Sequence, residues 1–212
     1  MPLDLEEQEQ VAEFKAWWDR HGTLVVSLAV GGAIAIAGWQ GWRWHQQTQA
    51  AQGAVLYDSL TRGAQGGDAK AVRDAAGALI ENHPGSLYAS MGALASARFH
   101  FDRNDLKTAK AQLGWVVEHS RSEEFRDLAR LRLGALLLDE KAYDEGLKLL
   151  EAKHAAAFDS QYAALRGDLL VAKNQPAEAR AAYKLALEKA DQARDGGAFR
   201  ESVRMRLEAL GG

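Results

Sequence analysis

The chain has no cysteine, which closes off both a disulfide framework and a thiolate metal site, although that absence assigns no compartment. Proline is nearly missing, with only Pro2, Pro84 and Pro176. β-Branched runs are also few, whereas alanine and leucine abound, so the composition predicts an all-α protein. Nor is there an excess of one charge sign beyond the N-terminal segment. Residues 1–42 hold 2 basic and 6 acidic side chains, and residues 44–212 hold 23 of each. A surface so balanced lacks the basic face that neutralises phosphates, and nucleic acid is excluded as a partner.

Catalytic constellations are missing too. The six histidines (His21, His45, His83, His100, His119, His154) show neither H-x-x-x-H nor H-E-x-x-H spacing, so none pair as ligands on one helix face. His21 and His45 flank an apolar run and are expected at its borders. No P-loop and no G-x-S-x-G nucleophile elbow occurs. Gly31-Gly32 follows no strand and cannot be a dinucleotide loop. The paired acids Glu123-Glu124 read as a helix start rather than as general acid and base. The expectation is a non-enzyme with no catalytic residue, no metal and no cofactor.

What the chain does have is an uncharged run from Gly22 to Trp42. Its 21 residues make a helix ~31 Å long, close to the ~30 Å hydrocarbon core of a bilayer. Trp17 and Trp18 precede it and Trp39, Trp42 and Trp44 close it, as interfacial aromatic belts do. The leader is acidic, unlike the basic leader of a cleaved signal peptide. Three segments follow: an acidic amphipathic leader over 1–21, a transmembrane helix over 22–44, and a helical domain over 45–212. Asp4 with Glu7 resembles a capping box, and Val11, Phe14, Trp17 and Trp18 form an apolar stripe suited to the headgroup boundary, with a short disordered tail as the alternative. Lys15 and Arg20 before the span outnumber Arg43 after it, which leans toward an inside N-terminus. Ser27, Gly31, Ala35 and Gly38 share one helix face and permit close approach of another membrane helix; small residues are also simply common in spans.

The remainder repeats itself. Ala97 is followed by Ala109 and Leu113, Gly134 by Gly146 and Leu150, and Gly167 by Ala179 and Tyr183, with copies offset by 37 and 33 residues. A turn precedes each second small residue: Asn104-Asp105-Leu106, Lys141-Ala142-Tyr143 and Asn174-Gln175-Pro176. Antiparallel helices approach closely only where facing side chains are small, and tight turns favour Asn or Asp at the cap and tolerate Pro at the first helical position. A single hairpin cannot bury its apolar face, so copies stack. An earlier degenerate copy is expected from about Thr48 to Pro84, turning at Gly67-Asp68-Ala69. A last helix, with Phe199, Val203, Leu207 and Leu210 on one face and Arg200, Arg204 and Glu208 beside it, should cap the stack.

The pattern resembles the tetratricopeptide repeat, a unit of about 34 residues with small residues at its eighth and twentieth positions. It departs from that pattern near the fourth position, where Ala93, Arg130 and Ala163 replace the usual aromatic, and only Pro84 supplies a terminal proline. The fold expected is therefore all-α, a single N-terminal transmembrane helix followed by a tetratricopeptide-like helical-repeat domain.

The order of features narrows this further. A Glu7-to-Val11 stretch reading Glu-Gln-Glu-Gln-Val, a tryptophan pair and a glycine-rich span ending Gly38-Trp39 come first. Tyr88-Ala89-Ser90 and Asn104-Asp105-Leu106 follow inside the repeats. Together they resemble the ancillary SecYEG translocon subunit family, the YfgM type, over nearly the full length. The resemblance implies a bacterial inner-membrane protein with a cytoplasmic N-terminus and a periplasmic repeat domain. It implies association with the SecYEG translocon and with a membrane-bound periplasmic chaperone of the PpiD type, and transfer of client polypeptides to periplasmic chaperones. A membrane-tethered scaffold for cell-envelope assembly or cell division is the alternative.

By analogy with other tetratricopeptide domains, the first helix of each hairpin lines a concave face. That places Met91, Leu94, Arg98 and Phe101 in a partner-binding groove, followed by Leu128, Leu131, Ala135 and Leu138, then Ala164, Asp168 and Val171. An apolar groove with one Arg suits extended apolar segments or a partner helix, while the competing assignment of several of these residues is the core. Leu94 and Arg98 stand where carboxylate-clamping repeats carry Lys and Asn, so that mode is not expected.

Overall fold

A computed structural model describes residues 5–193 and 196–211. Among them every regular element is a helix and no strand occurs. The chain divides into two units, Met1–Gln49 and Ala50–Gly212.

From Leu5 onward the first unit lies within helix α1 (Leu5–Gly66). The leader is helical from Leu5, whereas Asp4 of the expected capping box lies outside the described residues, as do the side chains of Glu7 and His45. From Gln10 onward the helix contains a stretch long and apolar enough to cross a membrane. Leu24, Val26, Leu28, Val30, Ile34 and Ile36 are all exposed, Ile34 by 67%. Apolar side chains on every side with none buried in protein call for an apolar surrounding. The aromatic residues pair along the helix: Phe14 stacks on Trp17 and on Trp18 at 6.2 Å between ring centres, and the Arg43 guanidinium lies 5.5 Å from the Trp39 ring.

The second unit is a series of hairpins. The end of α1 pairs with α2 (Ala69–Asn82), α3 (Leu87–Phe101) with α4 (Leu106–His119), α5 (Glu123–Asp139) with α6 (Tyr143–Leu149), and α7 (Asp159–Ala172) with α8 (Pro176–Ala193). Helix α9 (Gly197–Ala209) follows. The turns share one geometry. Gly67, Asn104, Lys141 and Asn174 all have positive φ, from 60° to 75°. The next residue's N–H donates five residues back, Asp68 to Gly63, Asp105 to His100, Ala142 to Leu137 and Gln175 to Leu170, at 2.8–2.9 Å. That is the Schellman ending, which satisfies helix-terminal carbonyls. Its presence at Gly67 brings the degenerate first copy into line with the other three. Asp68 and Asp105 then cap the next helix by accepting from Lys70 and Ala71, and from Thr108; Pro176 opens α8, where its missing N–H costs no bond.

The small residues fall at the helix contacts. Ala97, Ala109, Gly134, Gly146, Gly167 and Ala179 are all buried. A Cβ added at Gly134 would stand 2.9 Å from the Leu165 side chain, and one at Gly167 would overlap the Tyr183 ring. Val203 of α9 is fully buried against α7 and α8, with Phe199, Leu207 and Leu210 packed beside it, while Arg204 and Glu208 face outward. The last helix thus closes the apolar end of the stack.

One hairpin departs from regular stacking. Helix α6 has only seven residues, and an irregular stretch carries the chain to a single 3-10 turn at Ala156–Phe158. The cause lies in α5. Buried Asp127 accepts from the Ala155 N–H at 2.9 Å and the Tyr162 hydroxyl at 3.3 Å, and pairs with Arg130 at 2.8 Å. A backbone N–H held by a buried carboxylate is not available to a helical ladder, so the segment is pinned as a loop.

Candidate partner-binding site

Helix α3 starts where Ser86 Oγ accepts from the Ala89 N–H at 3.1 Å. Its small side chains let it pack on several sides: Ala89, Ser90, Gly92, Ala93, Ser96 and Ala97 are buried. Apart from Leu87 at its start, it stays open at its C-terminal end, at Arg98, Phe101 and Asp102. Helix α5, capped by Ser122 Oγ at the Phe125 N–H, presents Arg132 and Ala135 to the same space. The result is a cavity of about 280 Å³. Its apolar floor is Ala97, Leu113 and Leu136, all core residues, and its rim is Arg98, Phe101, Asp102, Arg132 and Ala135.

Charge in the cavity is uneven. Both Asp102 oxygens accept from Arg98 Nε, at 2.8 and 3.0 Å. Arg132 has no ion-pair or hydrogen-bond partner among the described residues. Burial, and then the positive charge of Arg98, depress the basicity of its guanidinium.

The residues expected in the groove are distributed unequally. Arg98, Phe101 and Ala135 come together at the cavity, and Phe101 is 44% exposed. Met91 is half-buried on α3. Leu94 is buried in the α3–α4–α5 core, with Leu128 packed against it. Leu131 and Leu138 pack against a second cluster formed by Leu150, Tyr162, Leu165 and Leu169. In the third copy Ala164 is buried and Val171 exposed, while α9 covers Asp168. Asp168 accepts from the Tyr183 hydroxyl at 2.7 Å and from Arg206 at 2.8 Å; burial raises its pKa against both partners. The membrane-helix face of Ser27, Gly31, Ala35 and Gly38 is exposed, and a Cβ at Gly31 or Gly38 would meet nothing within 4 Å.

Asp102 and Arg132 are the rim residues that the sequence analysis does not single out. The signal for Arg132 is a cation that, two residues after Arg130, breaks into the apolar run Leu131-Arg132-Leu133-Gly134-Ala135-Leu136-Leu137-Leu138. Two histidines of the repeat domain are engaged structurally: His100 Nδ1 lies 2.9 Å from Asp105, and His154 Nε2 lies 3.2 Å from Asp159 while its ring stacks on Tyr162. Among the described residues no three His, Asp or Glu side chains gather as metal ligands would.

Residues 15–212 match the family model described as a tetratricopeptide repeat-like domain. The chain is also similar to three proteins named ancillary SecYEG translocon subunit. The Neisseria gonorrhoeae protein is 29% identical over 214 residues, covering 99% of this chain and 100% of that one. The Haemophilus influenzae protein is 26% identical over 192 residues, covering 91% and 94%. The Escherichia coli K12 protein is 26% identical over 178 residues, covering 84% and 85%. No solved structure matches the chain significantly.

Proposed function

Because the chain belongs to the tetratricopeptide repeat-like domain family, we propose that it serves as a non-catalytic, single-pass subunit accompanying the SecYEG protein-export channel in a bacterial inner membrane. In this reading residues 1–21 are cytoplasmic, residues 22–44 span the bilayer, and residues 45–212 form a periplasmic domain. That domain binds partners and helps transfer translocated polypeptides to periplasmic chaperones, among them a membrane-bound chaperone of the PpiD type. The observation that carries the reading is the extent of the similarity. Relatives bearing the translocon-subunit name align with both the membrane helix and the repeats, not with the repeats alone. Orientation rests on Lys15 and Arg20 before the span against Arg43 after it. The small face of Ser27, Gly31, Ala35 and Gly38 is assigned to a helix of the channel, since small residues let membrane helices pack closely.

Photocrosslinking tests this in intact membranes, with probes at Phe101 in the repeat domain and at Gly31 in the span. Channel subunits should be recovered from the span, and exported clients or periplasmic chaperones from Phe101. Recovery of wall-synthesis or division proteins in their place would transfer the chain to envelope assembly and end the export reading.

A further inference from the structure

The cavity between α3, α4 and α5 holds more positive charge than the chain itself neutralises. Asp102 engages Nε of Arg98 and leaves its two Nη groups without an acceptor among the described residues. Arg132 stands opposite with no counter-ion. Two guanidiniums and one carboxylate therefore share a hollow whose floor is Ala97, Leu113 and Leu136. A guanidinium stays protonated in proteins, so its charge is relieved only by an acceptor. Both guanidiniums are exposed at the rim, the Arg98 side chain by 72%, so water solvates them in the free chain, and a planar carboxylate from a partner matches the guanidinium fork. Phe101, on the same rim and 44% exposed, offers an apolar surface beside the charges.

We propose that this cavity is a carboxylate-binding site, taking an acidic side chain of a partner polypeptide between Arg132 and Arg98 while an adjacent apolar residue of that partner packs on Phe101. This rests on the partner-binding reading of the repeat domain and gives the class of segment it selects. Charge complementarity chooses the occupant: a purely apolar strand would cover the exposed Arg132 and Arg98 heads without offering them an acceptor, and a basic one would add a third cation. The residues differ from the Lys and Asn pair of carboxylate-clamping repeats, because the essential cation here is Arg132 on the following hairpin. Arg98 already opposes the Arg132 charge, and a carboxylate between the two guanidiniums would offset that repulsion.

The test uses the full-length protein in lipid nanodiscs and two fluorophore-labelled, end-blocked peptides, Ala-Ala-Phe-Asp-Leu-Ala-Ala and the same sequence with Asn for Asp. The Asp peptide should bind about tenfold more tightly, and the gap should narrow in high salt. Arg132→Gln should erase the preference, Arg132→Lys should keep part of it, and unchanged circular dichroism would show that the helices persist. Equal binding of the two peptides to the native chain would overturn the proposal. So would an Asp preference that survives Arg132→Gln. Self-association that Arg132→Gln abolishes, without any peptide preference, would assign the cavity to a second copy and likewise overturn it. Channel crosslinks from the span report separately: their retention without peptide preference sinks the cavity site alone, and their loss sinks the export reading.

Discussion

At the scale of single residues, the fold depends on where side chains are missing. Gly167 faces the Tyr183 ring, and that ring cannot retreat freely because its hydroxyl donates to Asp168, which Arg206 also holds. An added methyl at this place has no flexible neighbour to displace. Gly167→Ala should therefore destabilise the repeat domain by about 1–3 kcal/mol, although alanine is the better helix former by nearly 1 kcal/mol. Thermal unfolding of the full chain in detergent, followed by circular dichroism, would check it. A midpoint equal to or above that of the native chain would show that α7 and α8 are not in the contact described. The same logic made the repeat visible in the sequence, since small residues at fixed spacing are a direct record of close helix approach. Lys141 left no such record. It adopts the left-handed conformation that Asn104 and Asn174 adopt at the equivalent turns, and nothing in its chemistry announces this. Only its position one repeat after Asn104 identifies it.

At the scale of elements, the hairpins and the capping helix were legible because period and turn chemistry agree, as Pro176 at the start of α8 and the Phe199-Val203-Leu207 face of α9 illustrate. The shortness of α6 was not legible. It depends on a carboxylate in α5, 28 residues away in sequence from the backbone N–H it binds, and such a long-range bond has no local signature. The cavity was half legible for a related reason: a helix-face count finds Arg98 and Phe101, but the opposing Arg132 follows from how two hairpins meet. The pinned loop also carries a pH dependence. Burial first, and then the charge of Asp127, push the Tyr162 phenol from about 10 up to about 12. A tyrosine whose folded pKa lies above its unfolded value favours the fold fully below pH ~10, and that contribution fades as pH rises toward the folded value. Stability should fall between pH ~10 and ~12, read as a dropping denaturation midpoint. Tyr162→Phe should shrink that slope without removing it, because burial and Asp168 also raise Tyr183. An unchanged slope in Tyr162→Phe would show that the hydroxyl is not in the buried contact with Asp127.

At the scale of the whole molecule, the decisive quantity is which side of a bilayer each unit occupies. The uncharged run Gly22–Trp42 matches the hydrocarbon thickness, and its apolar side chains find no protein to bury them among the described residues, so lipid is the medium that satisfies them. The orientation signal is thin by comparison, since Lys15 and Arg20 exceed Arg43 by a single cation. The chain contains no cysteine, so a single introduced thiol reports without background. Glu13→Cys and Glu81→Cys both alter exposed helix positions outside the uncharged run. In cells with a permeabilised outer membrane, a membrane-impermeant maleimide should label Cys at position 81 and leave position 13 unlabelled until the inner membrane is lysed. Alkaline carbonate should extract neither variant, because helix insertion does not depend on the surface charges that such washing disrupts. Labelling at position 13 with protection at position 81 would put the repeat domain in the cytoplasm, where it could meet neither an emerging exported chain nor a periplasmic chaperone. The carboxylate-selective cavity would then have to serve a cytoplasmic partner, and the crosslinks expected from Phe101 would have to come from that side.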